Sequence, residues 1–372
     1  MPRSVQPDRK LFGVTLALCL IGIVMVFSAS AMTASEQFGA GYIFLLRQLI
    51  YVVLGIGGMF WLMNTDYRKL RQPSVVFTGL ALSFVLLAGV FFLDRSHQTH
   101  RWFRMGPFSL QPSEMAKLAL IVYLAWFLEL RRMPRKRGSF DVNDPLHTLA
   151  PALGTTLMMA ALVVKEPDMG TAFMIVLISM VMLFVAGLSY RYIAGTVLAA
   201  IPTIYLLIVR VPYRWQRLES FLHPDMDPKG AGFQLVQSLI AVGSGGMTGV
   251  GLMESRQKLF FLPEAHTDFI YAIIGEELGF IGAVIVLALF AVYGWRGFVA
   301  AMKAGDDFGK FLALGITTMV VGQALINLSV VLGLMPTKGI PLPFISYGGS
   351  SLIAMLLATG VLLNISQQAD ET

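Results

Sequence analysis

Ionisable residues within or at the ends of apolar runs are where this sequence could do chemistry, because a charge in hydrocarbon is costly unless it faces a cavity or a partner. Asp268 follows Leu262-Pro263-Glu264-Ala265-His266-Thr267 and directly precedes the apolar Phe269-Ile270-Tyr271, so it stands where a polar segment enters a long apolar helix. Partial desolvation raises the pKa of such a carboxylate, which suits a general base. An aspartate there can also cap the free N–H groups of the helix start, and the two roles are compatible. Asp168, in Lys165-Glu166-Pro167-Asp168-Met169-Gly170-Thr171, opens another apolar run with the same choice between cap and site. Glu114 and Lys117 stand i, i+3 in Ser113-Glu114-Met115-Ala116-Lys117, as a structural ion pair or as the lining of a polar cavity. Glu276 and Glu277 lie roughly 12 Å further along the helix from Asp268. They read as deep cavity carboxylates or as packing partners of Arg47 or Lys338.

The complementary charges are Arg101 and Arg104, Arg214 and Arg217, and Lys338. Arginine binds phosphate through paired hydrogen bonds and lysine acts as a mobile point charge, so together they suit a diphosphate head group. Taken singly, each reads first as a solvated loop charge; their occurrence together with several outer-end carboxylates is what argues for a site. No Walker loop, Rossmann glycine pattern or HExxH helix occurs, and the five histidines are scattered without ligand spacing. Catalysis here must therefore use carboxylates and cations.

Long apolar helices must position these groups. Of the 372 residues 56% are hydrophobic and only 13% charged, against about 25% charged in a soluble domain; the mean hydropathy is +0.70. The expected architecture is all-α and polytopic, one bundle of about ten transmembrane helices. The spans fall at about 11–32, 42–63, 74–93, 113–130, 148–164, 169–188, 193–210, 268–295, 309–332 and 348–366. Charged residues and Pro167 split the fifth from the sixth by a tight hairpin. The first run is too long for a signal peptide and is read as a retained helix.

Lys and Arg gather in alternate short loops: Arg3, Arg9 and Lys10; Arg68, Lys69 and Arg71; Arg131, Arg132, Arg135, Lys136 and Arg137; then Arg191, Arg296, Lys303 and Lys310. This placement puts both termini in the cytoplasm, and it explains the net charge of +6 without nucleic acid. Arg95, Arg101 and Arg104 are the exception on the outer side. The long extracytoplasmic segment 211–267, between helices 7 and 8, includes an amphipathic stretch from Phe233 to Val242 and a Gly-rich stretch from Gly243 to Gly251. It is expected to hold short or re-entrant helices. The single Cys19 provides neither a disulfide framework nor a metal site.

Three stretches resemble the SEDS proteins, the FtsW/RodA/SpoVE family. These are Arg101-Trp102-Phe103 through Pro112-Ser113-Glu114-Met115-Ala116-Lys117; Leu262 through Ile270 with Gly275-Glu276-Glu277-Leu278-Gly279; and Pro336-Thr337-Lys338-Gly339 through Pro343-Phe344-Ile345-Ser346-Tyr347-Gly348-Gly349-Ser350-Ser351. Phe27-Ser28-Ala29-Ser30 and Glu166-Pro167-Asp168-Met169-Gly170-Thr171-Ala172 match more weakly. The pattern looks more like the division branch than the elongation branch, although Ile340-Pro341 is typical of the latter.

The resemblance implies a peptidoglycan glycosyltransferase of the bacterial cytoplasmic membrane, acting at the division septum. It would polymerise lipid II into β-1,4 glycan on the outer face, beside a class B penicillin-binding protein and other division-complex proteins. It carries the family's essential aspartate onto Asp268 and its cavity residues onto Glu114, Lys117 and Asp168. Diphosphate-binding candidates are then Lys117, Glu114, Asp168, Arg101, Arg214 and Lys338. A divalent cation such as Mg2+ or Mn2+ would fit the reaction, but no spacing identifies its ligands. A lipid II flippase and a noncatalytic scaffold are the competing classes. A carrier needs polar groups open to both faces, whereas these cluster toward one.

Overall fold

The computed structural model describes residues 6–93, 101–105, 108–132, 142–224, 230–259 and 261–369. Arg3, Arg95, Arg135, Lys136 and Arg137, which contributed to the charge pattern, lie outside them. The helices in chain order are α1 (Arg9–Phe38), α2 (Ile43–Met63), α3 (Pro73–Leu93), α4 (Pro112–Arg132), α5 (Ala150–Lys165), α6 (Met169–Ala186), α7 (Tyr190–Val209), α8 (Pro212–Leu222), α9 (Ala231–Ser244), α10 (Ile270–Met302), α11 (Asp307–Val331) and α12 (Gly349–Gln367). A small antiparallel hairpin, β1 (Phe103–Met105) and β2 (Phe108–Leu110), precedes α4 with Phe103 opposite Leu110.

Among the described residues nine helices are long and apolar enough to cross a membrane. The tenth expected span is α4, which has the length but carries Glu114, Lys117 and Glu129, all buried. It can do so because α3, α6, α11 and α12 enclose it. The long segment between α7 and α10 contains α8 and α9, and the amphipathic stretch expected there is α9. The ends of α1 and α12 meet on one face, where the Asp8 amide donates to Ser366 Oγ at 3.4 Å and Arg296 pairs with Asp8. The first and last described helices thus end on the same face of the bundle.

Close helix approach is set by small residues, as is usual where lipid removes the hydrophobic drive between helices. The side chains of Leu356 and Leu357 on α12 fill the space beside Gly55 and Gly58 of α2, and Gly360 lies against the Met59 backbone. By contrast α7 packs on α8, and none of its most apolar stretch is buried within the chain.

The longest helix, α10, is broken at Gly279, whose φ of 68° and ψ of −166° leave the helical region. The freed backbone groups are met by the Gly-rich stretch: Val250 and Gly251 N–H donate to Glu276 and Glu277 O (3.0 and 3.1 Å), and Phe280 and Ile281 N–H donate to Gly246 and Met247 O (2.9 and 3.2 Å). A Cβ on Gly279 would strike the Gly249 backbone, and one on Gly249 would strike that of Glu277. The glycines are therefore required by backbone-to-backbone contact as well as by conformation.

Candidate active site

The site is built where segment 261–269, the α5–α6 hairpin, the loop 332–348 and α8 converge. Asp268 sits one residue before the N-cap of α10, Phe269, and that helix start has no side-chain cap. Of the two roles open from sequence, capping is therefore not the one its side chain performs. Asn327 on α11 ties two of the segments together, donating from Nδ2 to Asp268 O and to Ile340 O, both at 2.7 Å. The loop backbone then passes so close that a Cβ on Gly339 would lie 3.0 Å from Asp268 Oδ2. Among the described residues no donor serves the Asp268 carboxylate itself. Asp268 is only partly covered, yet the protein packed around it pushes its carboxyl up to about 7; Glu264 and Asp168 add to the rise, and Arg101 and Arg217 oppose it.

Asp168 is the opposite case. It is the N-cap of α6, accepting from Thr171 N (3.0 Å) and Thr171 Oγ1 (2.8 Å), and Gln111 Nε2 donates to it at 3.1 Å. It is buried and well satisfied, so here the capping role holds while its charge still reaches Asp268. Its neighbour Glu166 is fully buried with neither carboxylate oxygen hydrogen-bonded. Burial, reinforced by Asp168 and opposed by Arg101, pushes the Glu166 carboxyl up to about 8.

Three cations surround these acids. Arg101 donates from Nε to Glu166 O at 2.8 Å and from Nη2 to Pro167 O, so the hairpin backbone holds its guanidinium in place. Burial lowers the pKa of Arg217, Arg101 adds to this, and Asp268 and Asp168 are among the charges that oppose it. Lys338 lies over the Phe173 ring at 5.3 Å; burial lowers its pKa and Asp168 counters this. Arg214 is placed otherwise. Its guanidinium donates to Leu207 O and Val164 O (both 3.1 Å) and to Tyr213 Oη (3.0 Å), bracing α7 and α8 against the end of α5. One helical turn on, Arg217 is the arginine of α8 whose charge reaches Asp268.

Lys117 is buried, 2.9 Å from Glu114 Oε1 and 2.6 Å from Gln323 Oε1. Gln323 in turn donates to Pro341 O at 3.0 Å, which ties the pair to the Asp268 loop. The other Glu114 oxygen and Ser113 Oγ are buried without partners, so the group keeps unused hydrogen-bonding capacity.

Glu276 and Glu277 belong neither to this site nor to Arg47 or Lys338. Glu277 accepts from Ser28 Oγ at 2.6 and 2.7 Å and from Lys258 Nζ at 2.8 Å. Glu276 accepts from Ser255 Oγ and from Arg256 N at 3.0 Å. Lys258 precedes Asp268 by ten residues in a polar stretch, so nothing local in the sequence marks it as their partner.

The cost of charge in apolar surroundings does not mark the neutral groups that organise the site, Gln111, Gln323 and Asn327. Gln323 and Asn327 recur four residues apart within an apolar helix, and that spacing on one face was the available signal. Among the described residues no three His, Cys, Asp or Glu side chains converge as a metal site.

The "Cell cycle protein" model of the FtsW/RodA/SpoVE family matches residues 9–371. The chain is 43% identical over 368 residues to "Probable peptidoglycan glycosyltransferase FtsW" of Geobacter metallireducens, covering 98% of this chain and 96% of that protein. It is also 43% identical to "Stage V sporulation protein E" of Bacillus subtilis, covering 98% of each. Among solved structures it is similar to one described as "Structural coordination of polymerization and crosslinking by a peptidoglycan synthase complex", with a TM-score of 0.78, 30% identity and coverage of 98% of this chain and 99% of that one. With a full-length model match and relatives this similar, the chain belongs to the FtsW/RodA/SpoVE family of multi-pass membrane proteins.

Proposed function

We propose that this protein polymerises lipid II on the outer face of the cytoplasmic membrane, at the division septum, with Asp268 as general base. The observation that carries the reading is the Asp268 carboxylate: without a hydrogen-bond donor among the described residues, shifted to about 7 and facing the charges of Arg101 and Arg217, with Lys338 near by beside Asp168. A base must be ionised yet retain proton affinity near the working pH, and this environment gives both. The relatives named as peptidoglycan glycosyltransferases and the peptidoglycan synthase structure support the same class of enzyme.

The donor sugar is α-linked to a polyprenyl diphosphate and the glycan product is β-linked, so a single inverting displacement suffices. Asp268 takes the proton from the 4-hydroxyl of the acceptor GlcNAc as that oxygen attacks C1 of the donor MurNAc. The C1–O bond to the diphosphate breaks with its electrons, and Arg101, Arg217 and Lys338 stabilise the charge that develops. Lys117 with Glu114, joined to the loop through Gln323, orients the donor. A divalent cation such as Mg2+ or Mn2+ would share the neutralisation of the diphosphate charge with these residues. A class B penicillin-binding protein supplies crosslinking beside it, and both termini are cytoplasmic, an orientation that the Lys and Arg distribution supports.

The test is glycan formation from labelled lipid II by the purified protein, with and without a penicillin-binding partner whose transpeptidase is blocked, for wild type and Asp268→Asn. Polymer from wild type alone is expected. Polymer from both removes Asp268 from the mechanism, and none from either, with partner present, returns weight to a flippase or a scaffold.

A further inference from the structure

Joining two lipid-linked sugars brings two diphosphates to the same leaflet, and the cations described so far account for one. The donor's diphosphate departs and gains charge, which suits the cluster of Arg101, Arg217 and Lys338. The acceptor's diphosphate keeps its bond and needs only to be held.

On the flank built by α1, α2 and the start of α12 stands a cation that nothing above employs. Arg47 lies one turn into α2, roughly 6 Å below its first residue at 1.5 Å per residue. Its guanidinium stacks 5.5 Å from the Phe38 ring centroid and donates to the Tyr347 hydroxyl. Phe44 packs against both His266 (4.9 Å) and Tyr347 (5.1 Å), completing an aromatic wall. The wall adjoins the base: Tyr347 N–H donates to His266 O at 3.0 Å, two residues before Asp268. Burial lowers the His266 pKa, leaving Arg47 as the charge of the wall. Among the described residues Arg47 forms no ion pair with any carboxylate. An arginine in a membrane span is normally paired, and here most of its five donors are left over. Below it the exposed Ile50, Val53 and Leu54 continue an apolar surface along which a polyprenyl tail would lie.

We propose that Arg47, set in the Phe38–Tyr347 wall, binds the diphosphate of the acceptor lipid while the cations on the other side of Asp268 bind that of the donor. The inference rests on the polymerase reading for the word acceptor. The existence of a second lipid-diphosphate site does not depend on turnover.

Two measurements on the purified full-length protein test it. Native mass spectrometry with lipid II should show two bound equivalents for wild type, one for Arg47→Gln, and a weakened second equivalent for Arg47→Lys, which keeps the charge but loses the fork. One equivalent on wild type, or two on Arg47→Gln at unchanged affinity, overturns the site. If wild type binds two and makes no glycan, the polymerase reading fails and the site stands.

For the acceptor role, lipid II whose 4-hydroxyl is chemically blocked serves only as donor. With it saturating, Arg47→Gln should raise the KM for unblocked lipid II by at least about tenfold and leave the donor KM within about twofold. An equal or larger rise in the donor KM overturns the assignment. Should Arg47→Gln fail to fold, Arg47→Lys decides: a smaller rise confined to the acceptor supports the proposal, and a KM equal to wild type overturns it.

Discussion

Around the start of α10 stand two kinds of carboxylate, Asp268 just before the helix and Glu276 and Glu277 within its first turns. Glu276 and Glu277 are buried and satisfied by Lys258, Ser28, Ser255 and a backbone amide. Asp268 has none of these and is left partly open among cations that do not touch it. The difference lies in who supplies the partners. The glutamates draw theirs from α1 and from segment 255–258, and so fasten that segment to the bundle. The partners around Asp268 are held elsewhere: Arg101 by the hairpin carbonyls, Lys338 by Phe173 and Asn327 by the Asp268 and Ile340 carbonyls. A satisfied carboxylate is a fastener, and a surrounded but unsatisfied one can act on a substrate.

Exchanging the two kinds of carboxylate for neutral groups should have opposite effects. Asp268→Asn removes the base while keeping the shape, so glycan formation should fall about 10³-fold with the melting temperature in detergent retained or raised. Lys258→Met leaves Glu277 buried and unpaired, which costs about 3–5 kcal/mol. The melting temperature should fall, while surviving folded protein polymerises at close to the wild-type rate. Adding Glu277→Leu to Lys258→Met should restore part of the stability, and a double variant no better than the single would show that the pair is not acting as a fastener.

The open carboxylate should also titrate within the working pH range. With Asp268 as base at about 7, kcat/KM should fall about tenfold per unit below that pH. Removing the Glu264 charge lowers the Asp268 pKa, so Glu264→Gln should move the acid limb to lower pH. The smallest effect is expected from Glu166→Gln. Glu166 is pushed from 4.5 to about 8, so it holds its proton at neutral pH and the amide should work within about twofold of wild type there. Because the folded chain keeps a proton that the unfolded chain releases, wild-type stability should decline as pH rises from 4.5 to about 8 and then level off. Glu166→Gln should lack that decline, as a melting series across pH would show.

Much of this was legible in the sequence because hydrocarbon makes charge expensive. Asp268, Asp168, Glu114 and Lys117 are conspicuous in apolar surroundings, and the structure connects all four to the loop or hairpin at the site. The spans were readable for the same reason, with α4 the one that apolarity alone undercounts. Pairing across the chain was not readable. Lys258 looks like any loop lysine until the Gly279 break brings segment 246–251 against α10, and Arg214 and Arg217 are indistinguishable until α8 turns one toward α5 and the other toward Asp268.

The enclosure of α12 has a further consequence, for the order of assembly. It leaves the ribosome after every other candidate span among the described residues, yet the most apolar stretch of α12 is 83% buried, more than that of any of those spans. Its contacts with α2 join residues hundreds of positions apart; Asn364, for example, binds the Met63 carbonyl across 301 residues. At roughly 5–20 residues per second, α1 and α2 wait on the order of 15–60 s in the bilayer before α12 exists. Throughout that interval the Gly55 and Gly58 face has no helix to pack against, and the preceding spans must leave a slot for the last. Insertion of α12 therefore completes the core of the described bundle, so premature termination before α12 removes the centre of that bundle and not an edge.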